Sequence, residues 1–191
     1  MLAGKGFKKV FNVAGGIKAW HAKTAIGPQD LGMDLFNGKE EPLDVLKVAY
    51  SLEQGLREFY LVMEKEAKNE KVKDLFAKLS EIEVKHQMSI YMAYTDISDE
   101  ELSKDAFEKT VETKALEGGL STREYLELFN TDLNSEREVI SLAMSIEAQA
   151  LDLYQRLSLR VTNSQSRDII NKIASEEKAH LASLGKLMDS L

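Results

Sequence analysis

From Pro42 onward, hydrophobic positions recur at alternating steps of three and four, the spacing at which an α-helix returns to one face. Four such stripes predict four long helices. The first begins at Pro42, a residue suited to the first helical position, and runs to about Lys68. Its inward stripe is Leu46, Ala49, Glu53, Leu56, Tyr60, Met63 and Ala67. The second runs from about Glu70 to Tyr94, with Val72, Phe76, Leu79, Glu83, His86, Ile90 and Ala93 facing inward. A third starts at Asn134 or Ser135, where Ser135 and Glu138 fit a capping box. Its stripe is Ile140, Ala143, Glu147, Ala150, Tyr154, Leu157 and Val161. The fourth starts near Ser166 and carries Ile170, Ile173, Glu177, His180, Leu184 and Leu187. Stripes of this width bury against one another in a helix bundle.

The joint between the second and third helices is unlike the other two. It spans about forty residues, 95–134, with Gly118-Gly119 and an expected short helix at Ser121–Phe129. That is too long for a simple turn between neighbouring antiparallel helices. The expected fold is therefore all-α, a four-helix bundle with a long crossover between helices 2 and 3, which is the ferritin-like connectivity. Two regions precede the bundle of residues 42–191. Residues 1–24 are rich in Gly and Lys and hold a strand-like run, Val10-Phe11-Asn12-Val13. Residues 25–41, which include Pro28, read as a linker.

Composition narrows the function classes. The 191 residues are 43% hydrophobic and 30% charged with two prolines, which suits one main helical domain. A net charge of −7 argues against a nucleic acid or an anionic membrane as partner. No apolar run approaches the length of a membrane span and no signal peptide is visible, so cytoplasm is the default expectation. These residues include no cysteine, which excludes disulfides, thiolate metal sites and cysteine-based sulfur transfer within them.

The two helix pairs repeat one pattern, displaced by 94 residues. Glu53 maps to Glu147, Tyr60 to Tyr154, Glu83 to Glu177 and His86 to His180. In each pair the two glutamates lie equally far from the expected bend, about 15 residues or ~22 Å at the helical rise, so they come level on facing helices. Each histidine lies one turn beyond its glutamate on the same face. Four carboxylates inside a bundle would repel one another and resist desolvation, whereas two divalent cations cancel their charge and the imidazoles complete the ligand set. Carboxylate plus imidazole without thiolate suits iron or manganese, with mixed metals and zinc left open. One Glu-x-x-His motif is weak, since 32 of 191 residues are acidic. Two at equivalent points of a repeat, both on apolar seams, are specific. A Glu from each of two helices and a Glu-x-x-His from each of the other two is the known di-iron and di-manganese arrangement.

Other residues carry less. Tyr60 and Tyr154, on the same stripes, are candidates to hydrogen-bond a ligand glutamate or to act beside an oxidising centre. They read equally well as core tyrosines with satisfied hydroxyls. Met63, Met88, Met92 and Met144 read as packing groups. Glu58, Glu64, Glu66, Glu81 and Glu176 belong to solvated faces, and His21 stands outside the bundle with no assigned role.

At Glu53…Tyr60, Glu83-Val-Lys-His86, Glu147…Tyr154 and Glu177-Lys-Ala-His180 the chain resembles the rubrerythrin branch of the ferritin-like superfamily, over about residues 42–190. The resemblance implies Glu53 and Glu147 as terminal carboxylates, Glu83 and Glu177 as bridges, and His86 and His180 as terminal ligands of two irons. It implies reduction of hydrogen peroxide, with dioxygen as the other expected oxidant, and a homodimer; the long crossover further allows helices to be exchanged between subunits. Two departures matter. The rubredoxin-like iron site of such proteins needs cysteines, so electrons must come from an external donor. The extra carboxylate one turn before the third-helix ligand is replaced by Ala143 and Met144, which leaves oxidase or ferroxidase behaviour open beside peroxidase. Non-catalytic iron binding, for storage or sensing, is the alternative. Separately, Gly6-Phe7-Lys8-Lys9-Val10-Phe11-Asn12-Val13-Ala14-Gly15-Gly16-Ile17-Lys18-Ala19-Trp20 resembles the last strand and helix of a rhodanese domain. The expectation is a strand/helix remnant of a rhodanese–rubrerythrin fusion.

Overall fold

The computed structural model describes residues 32–111, 124–125 and 132–191. The expected strand at residues 10–13, the rhodanese-like segment and His21 lie outside the described residues. So does most of the short helix expected at Ser121–Phe129, of which Glu124 and Tyr125 are helical and Tyr125 is buried.

Four long helices dominate: α1 (Pro42–Glu66), α2 (Glu70–Ile97), α4 (Glu136–Arg160) and α5 (Ser164–Asp189), with a short α3 (Lys104–Glu108) after α2. Local chemistry sets their ends. Pro42 opens α1 at a position where its missing N–H costs nothing. Asn69 caps α2 by accepting from the Lys71 N–H, and Ser135 caps α4 by accepting from the Glu138 N–H. Only this half of the expected capping box forms, because the Ser135 N–H donates to the Asp132 carbonyl at 3.0 Å. The fourth helix starts earlier than expected. Asn163 caps it, its Oδ1 accepting from Gln165 N at 2.9 Å and Ser166 N at 3.1 Å. Ser166 lies inside the first turn and is fully buried, its hydroxyl donating to the Glu40 carbonyl at 2.9 Å. Three capping residues in four positions, Asn163, Ser164 and Ser166, made the start ambiguous in sequence. Because Asn163 also donates to the Glu41 carboxylate at 2.9 Å, Asn163→Ala removes a cap and a tether. The expected loss is about 1–2 kcal/mol, read as a lower urea midpoint with unchanged slope.

Hydrogen bonds between helix ends fix the topology. The Lys68 N–H donates to Asn134 Oδ1 and the Asn69 side chain donates to the Asn134 carbonyl, so α2 and α4 start at one end of the bundle. The bonds from Asn163 and Ser166 to Glu41 and Glu40 place the starts of α1 and α5 together at the other. Helices α2 and α4 therefore run the same way, as do α1 and α5. After α2, about 42 Å long at the helical rise, the chain must return along its whole length before α4 can begin. This is the expected long crossover. Part of it is seen: α3 sets Phe107 against Tyr50, Tyr91 and Tyr94, with ring centroids 4.9, 5.5 and 4.6 Å away.

The interior forms two apolar clusters. One holds Leu46, Ala49, Tyr50, Ile90, Phe107, Tyr154, Leu157 and Ile170; the other holds Leu56, Tyr60, Met63, Val72, Phe76, Leu79, Ile140, Ala143 and Leu184. All are inside. Met33 and Phe36, from the segment read as a linker, are buried in the first cluster. Glu58, Glu66 and Glu81 are exposed, and Glu64 and Glu176 half-buried. One stripe position departs from expectation: Leu187 is exposed rather than inward. A cavity separates α2 from α5 there, and Leu187 stands at its mouth with little to pack on. No helix among the described residues is long and apolar enough to cross a membrane.

Candidate metal centre

Glu53 and Glu83 come from mid-α1 and mid-α2, and Glu147 and Glu177 from the equivalent points of α4 and α5. All four are buried, with 1–3% of their surface exposed. The equal arms read in the sequence follow from the real turns, which are the extended residues between α1 and α2 and between α4 and α5.

Two triads result: Glu53, Glu83 and His86, and Glu147, Glu177 and His180. In each, one ligand atom per residue lies within 4.8 Å of the others. His86 Nδ1 is 2.9 Å from Glu83 Oε2 and 3.4 Å from Glu53 Oε2. In the second triad His180 Nδ1 is 3.3 Å from Glu177 Oε2 and 3.5 Å from Glu147 Oε2. The two imidazoles stack with centroids 3.7 Å apart and planes 8° from parallel, which brings the triads against each other.

Electrostatics describe a site that resists its own charge. Burial pushes the Glu53 and Glu83 carboxyls well above their ordinary range, and the neighbouring carboxylates push them further. Glu147 is raised by burial, and Glu177 is raised to about 8 by burial with Glu147 adding to it. His86 is held down by burial, but Glu53, Glu177 and Glu147 more than reverse that and raise it overall. Glu147 Oε2 is buried with no hydrogen-bond donor among the described residues. Cations answer all of this: they need oxygen and imidazole donors, neutralise carboxylates and can bind an oxygen that lacks a well-formed hydrogen bond among the described residues. Two Glu/Glu/His groups side by side thus fit a di-iron centre.

Tyr60 and Tyr154 are fully buried on the predicted stripes, one in each apolar cluster. Ala143 is buried and Met144 half-buried, so the turn before Glu147 presents no carboxylate. Sequence reasoning missed the His86–His180 stack, because each histidine was placed only within its own hairpin. It also missed Leu75, Lys78, Ile82 and Ser183, which line the cavity beside the carboxylates. Ile82 next to the metal motif and Ser183 one turn past His180 were the available signal.

A family model described as Rubrerythrin matches residues 44–188. No curated protein and no solved structure matched the chain. With a bundle of this connectivity, two Glu/Glu/His triads at its centre and a family match over most of its length, the chain belongs to the rubrerythrin family.

Proposed function

We propose that this protein is a non-haem di-iron oxidoreductase that reduces hydrogen peroxide or dioxygen with electrons from an external donor. The observation that carries the reading is the pair of buried, facing Glu/Glu/His triads. Iron bound there supplies redox electrons and Lewis acidity toward the oxidant. Glu53, Glu83 and His86 would hold one ion and Glu147, Glu177 and His180 the other, with Glu83 and Glu177 shared. The chain's own contribution is charge balance and isolation. Glutamates accommodate changes in metal charge by shifting their carboxylates, and the apolar clusters cover the layer between them towards both ends of the bundle. Electrons arrive from outside because these residues include no cysteine to build a relay. A homodimer is part of the proposal.

That same lack of a relay favours a second reading, iron binding for storage or sensing. Stopped-flow mixing of the anaerobic ferrous protein with peroxide, and separately with dioxygen, decides between them. Catalysis predicts rapid growth of near-ultraviolet ferric absorption and repeated turnover with added reductant. Slow oxidation without turnover would leave storage or sensing.

A further inference from the structure

The metal layer is not sealed on every side. Leu75, Lys78, Leu79, Ile82 and Glu83 of α2 and His180, Ser183, Leu184 and Leu187 of α5 enclose a cavity of about 280 Å³ that reaches Glu147. Its floor and walls are buried: Glu83, Glu147, Leu79, Leu184 and Leu75. Its rim is exposed: Lys78, Ser183 and Leu187. The acidic, metal-binding groups therefore lie at the inner end, apolar side chains in between, and one cation at the outside.

The two copies of the repeat differ at this place. Leu75, Leu79, Leu184 and Leu187 correspond to Ile169, Ile173, Ile90 and Ala93, which all pack into the cluster that contains Phe107. Ile82 corresponds to the charged Glu176. Those counterparts lie against the Phe107 cluster, whereas the cavity opens beside Leu75, Leu79, Leu184 and Leu187. A dioxygen or peroxide molecule needs far less room. At about 30 Å³ for each water-sized group, the cavity takes roughly nine such groups.

We propose that the cavity binds a medium-chain aliphatic carboxylate, its chain running inward to the metal layer and its carboxylate at Lys78. This rests on the metal reading above for what lies at the inner end. The orientation follows from charge: a carboxylate at the floor would face Glu83 and Glu147, whereas at the rim it meets an ammonium and water. The chain replaces contact with water by contact with Leu75, Leu79, Ile82, Leu184 and Leu187.

The test uses the full chain loaded with manganese(II) and octanoate labelled with ¹³C at either end. Electron paramagnetic resonance titration of manganese(II) reports the metal centre independently. The expected result is that the bound metal broadens the terminal methyl signal at least about fivefold more than the carboxyl signal, because relaxation falls steeply with distance from the ion. Lys78→Gln should weaken octanoate about tenfold and leave octanol unchanged. Leu187→Trp, which closes the mouth from an exposed position, should abolish the broadening while manganese(II) affinity stays the same. The proposal is overturned if manganese(II) binds and neither label broadens, if both broaden equally, or if Lys78→Gln has no effect on octanoate. Should manganese(II) not be retained, the metal reading fails. The cavity is then judged by magnetisation transfer from protein methyls to octanoate, whose presence supports it and whose absence sinks it.

Discussion

Loading the metal-free protein with manganese(II) raises its thermal midpoint at pH 8 by roughly 8–16 °C, and by far less at pH 5. An ion at a thousand times its dissociation constant adds about 4 kcal/mol, and in a chain of this size each kcal/mol moves the midpoint by about 2–4 °C. The pH dependence comes from the carboxylates. Glu177 is raised to about 8, and Glu53, Glu83 and Glu147 are also raised by burial, so at pH 5 an ion must displace protons that at pH 8 have partly gone. The metal-free protein moves the opposite way. A raised folded-state pKa means that the folded chain holds protons the unfolded chain has released. That stabilisation is whole below the ordinary carboxylate value of 4.5 and is lost as pH rises through the folded value, about 8 for Glu177. His86, also raised, has the same sign. Glu108, lowered chiefly by its hydrogen bond from Tyr50, contributes the reverse dependence, but only below 4.5. Melting curves of both forms between pH 5 and 8.5 should therefore diverge as pH rises. An equal metal-induced gain at both ends of that range contradicts the account.

The centre was legible in the sequence because its geometry is a matter of spacing. Glutamates at equal distances from two bends must come level, whatever the exact helix ends, and a histidine three residues on must share the face. The short turns at residues 67–69 and 161–163 preserve that register although α1 ends at Glu66 and α2 continues to Ile97. What the spacing could not convey is how the hairpins sit on each other. The stacking of His86 on His180 and the hollow beside Leu184 depend on side-chain volumes brought together from different hairpins. So does the exposure of Leu187, which carries the same periodic signature as Leu184. The packing of Met33 and Phe36 was hidden for another reason. Gly- and Asp-rich surroundings read as a linker, and the short run Met33-Asp34-Leu35-Phe36 is too brief to set a helical period, yet Met33 and Phe36 are buried and Leu35 packs beside them.

Replacing Glu83 with glutamine separates the two energies that the site sets against each other. Gln keeps the shape and hydrogen-bonding capacity but cannot carry the charge. In the metal-free protein Glu83 is 1% exposed, and its charged form is opposed first by burial and then by Glu147 and Glu177. Glu83→Gln should therefore stabilise that form at pH 8 by about 1–2 kcal/mol, within the range seen when buried charges are replaced by neutral groups. Bound metal reverses the sign. A carboxylate shared between two ions cannot be replaced by a neutral amide, so affinity should fall by at least about 100-fold, more than the loss of a group that merely supports a ligand. Uptake should drop from two ions per chain to one or none. Glu81→Gln, on the exposed face two residues away, should change neither quantity and controls for lost surface charge. A variant that is more stable empty and nearly unable to bind is hard to obtain from a packing defect, which destabilises both forms alike. If Glu83→Gln weakens metal binding by less than about threefold, or destabilises the metal-free protein, then Glu83 is a structural carboxyl and the ligand assignment is wrong at its centre.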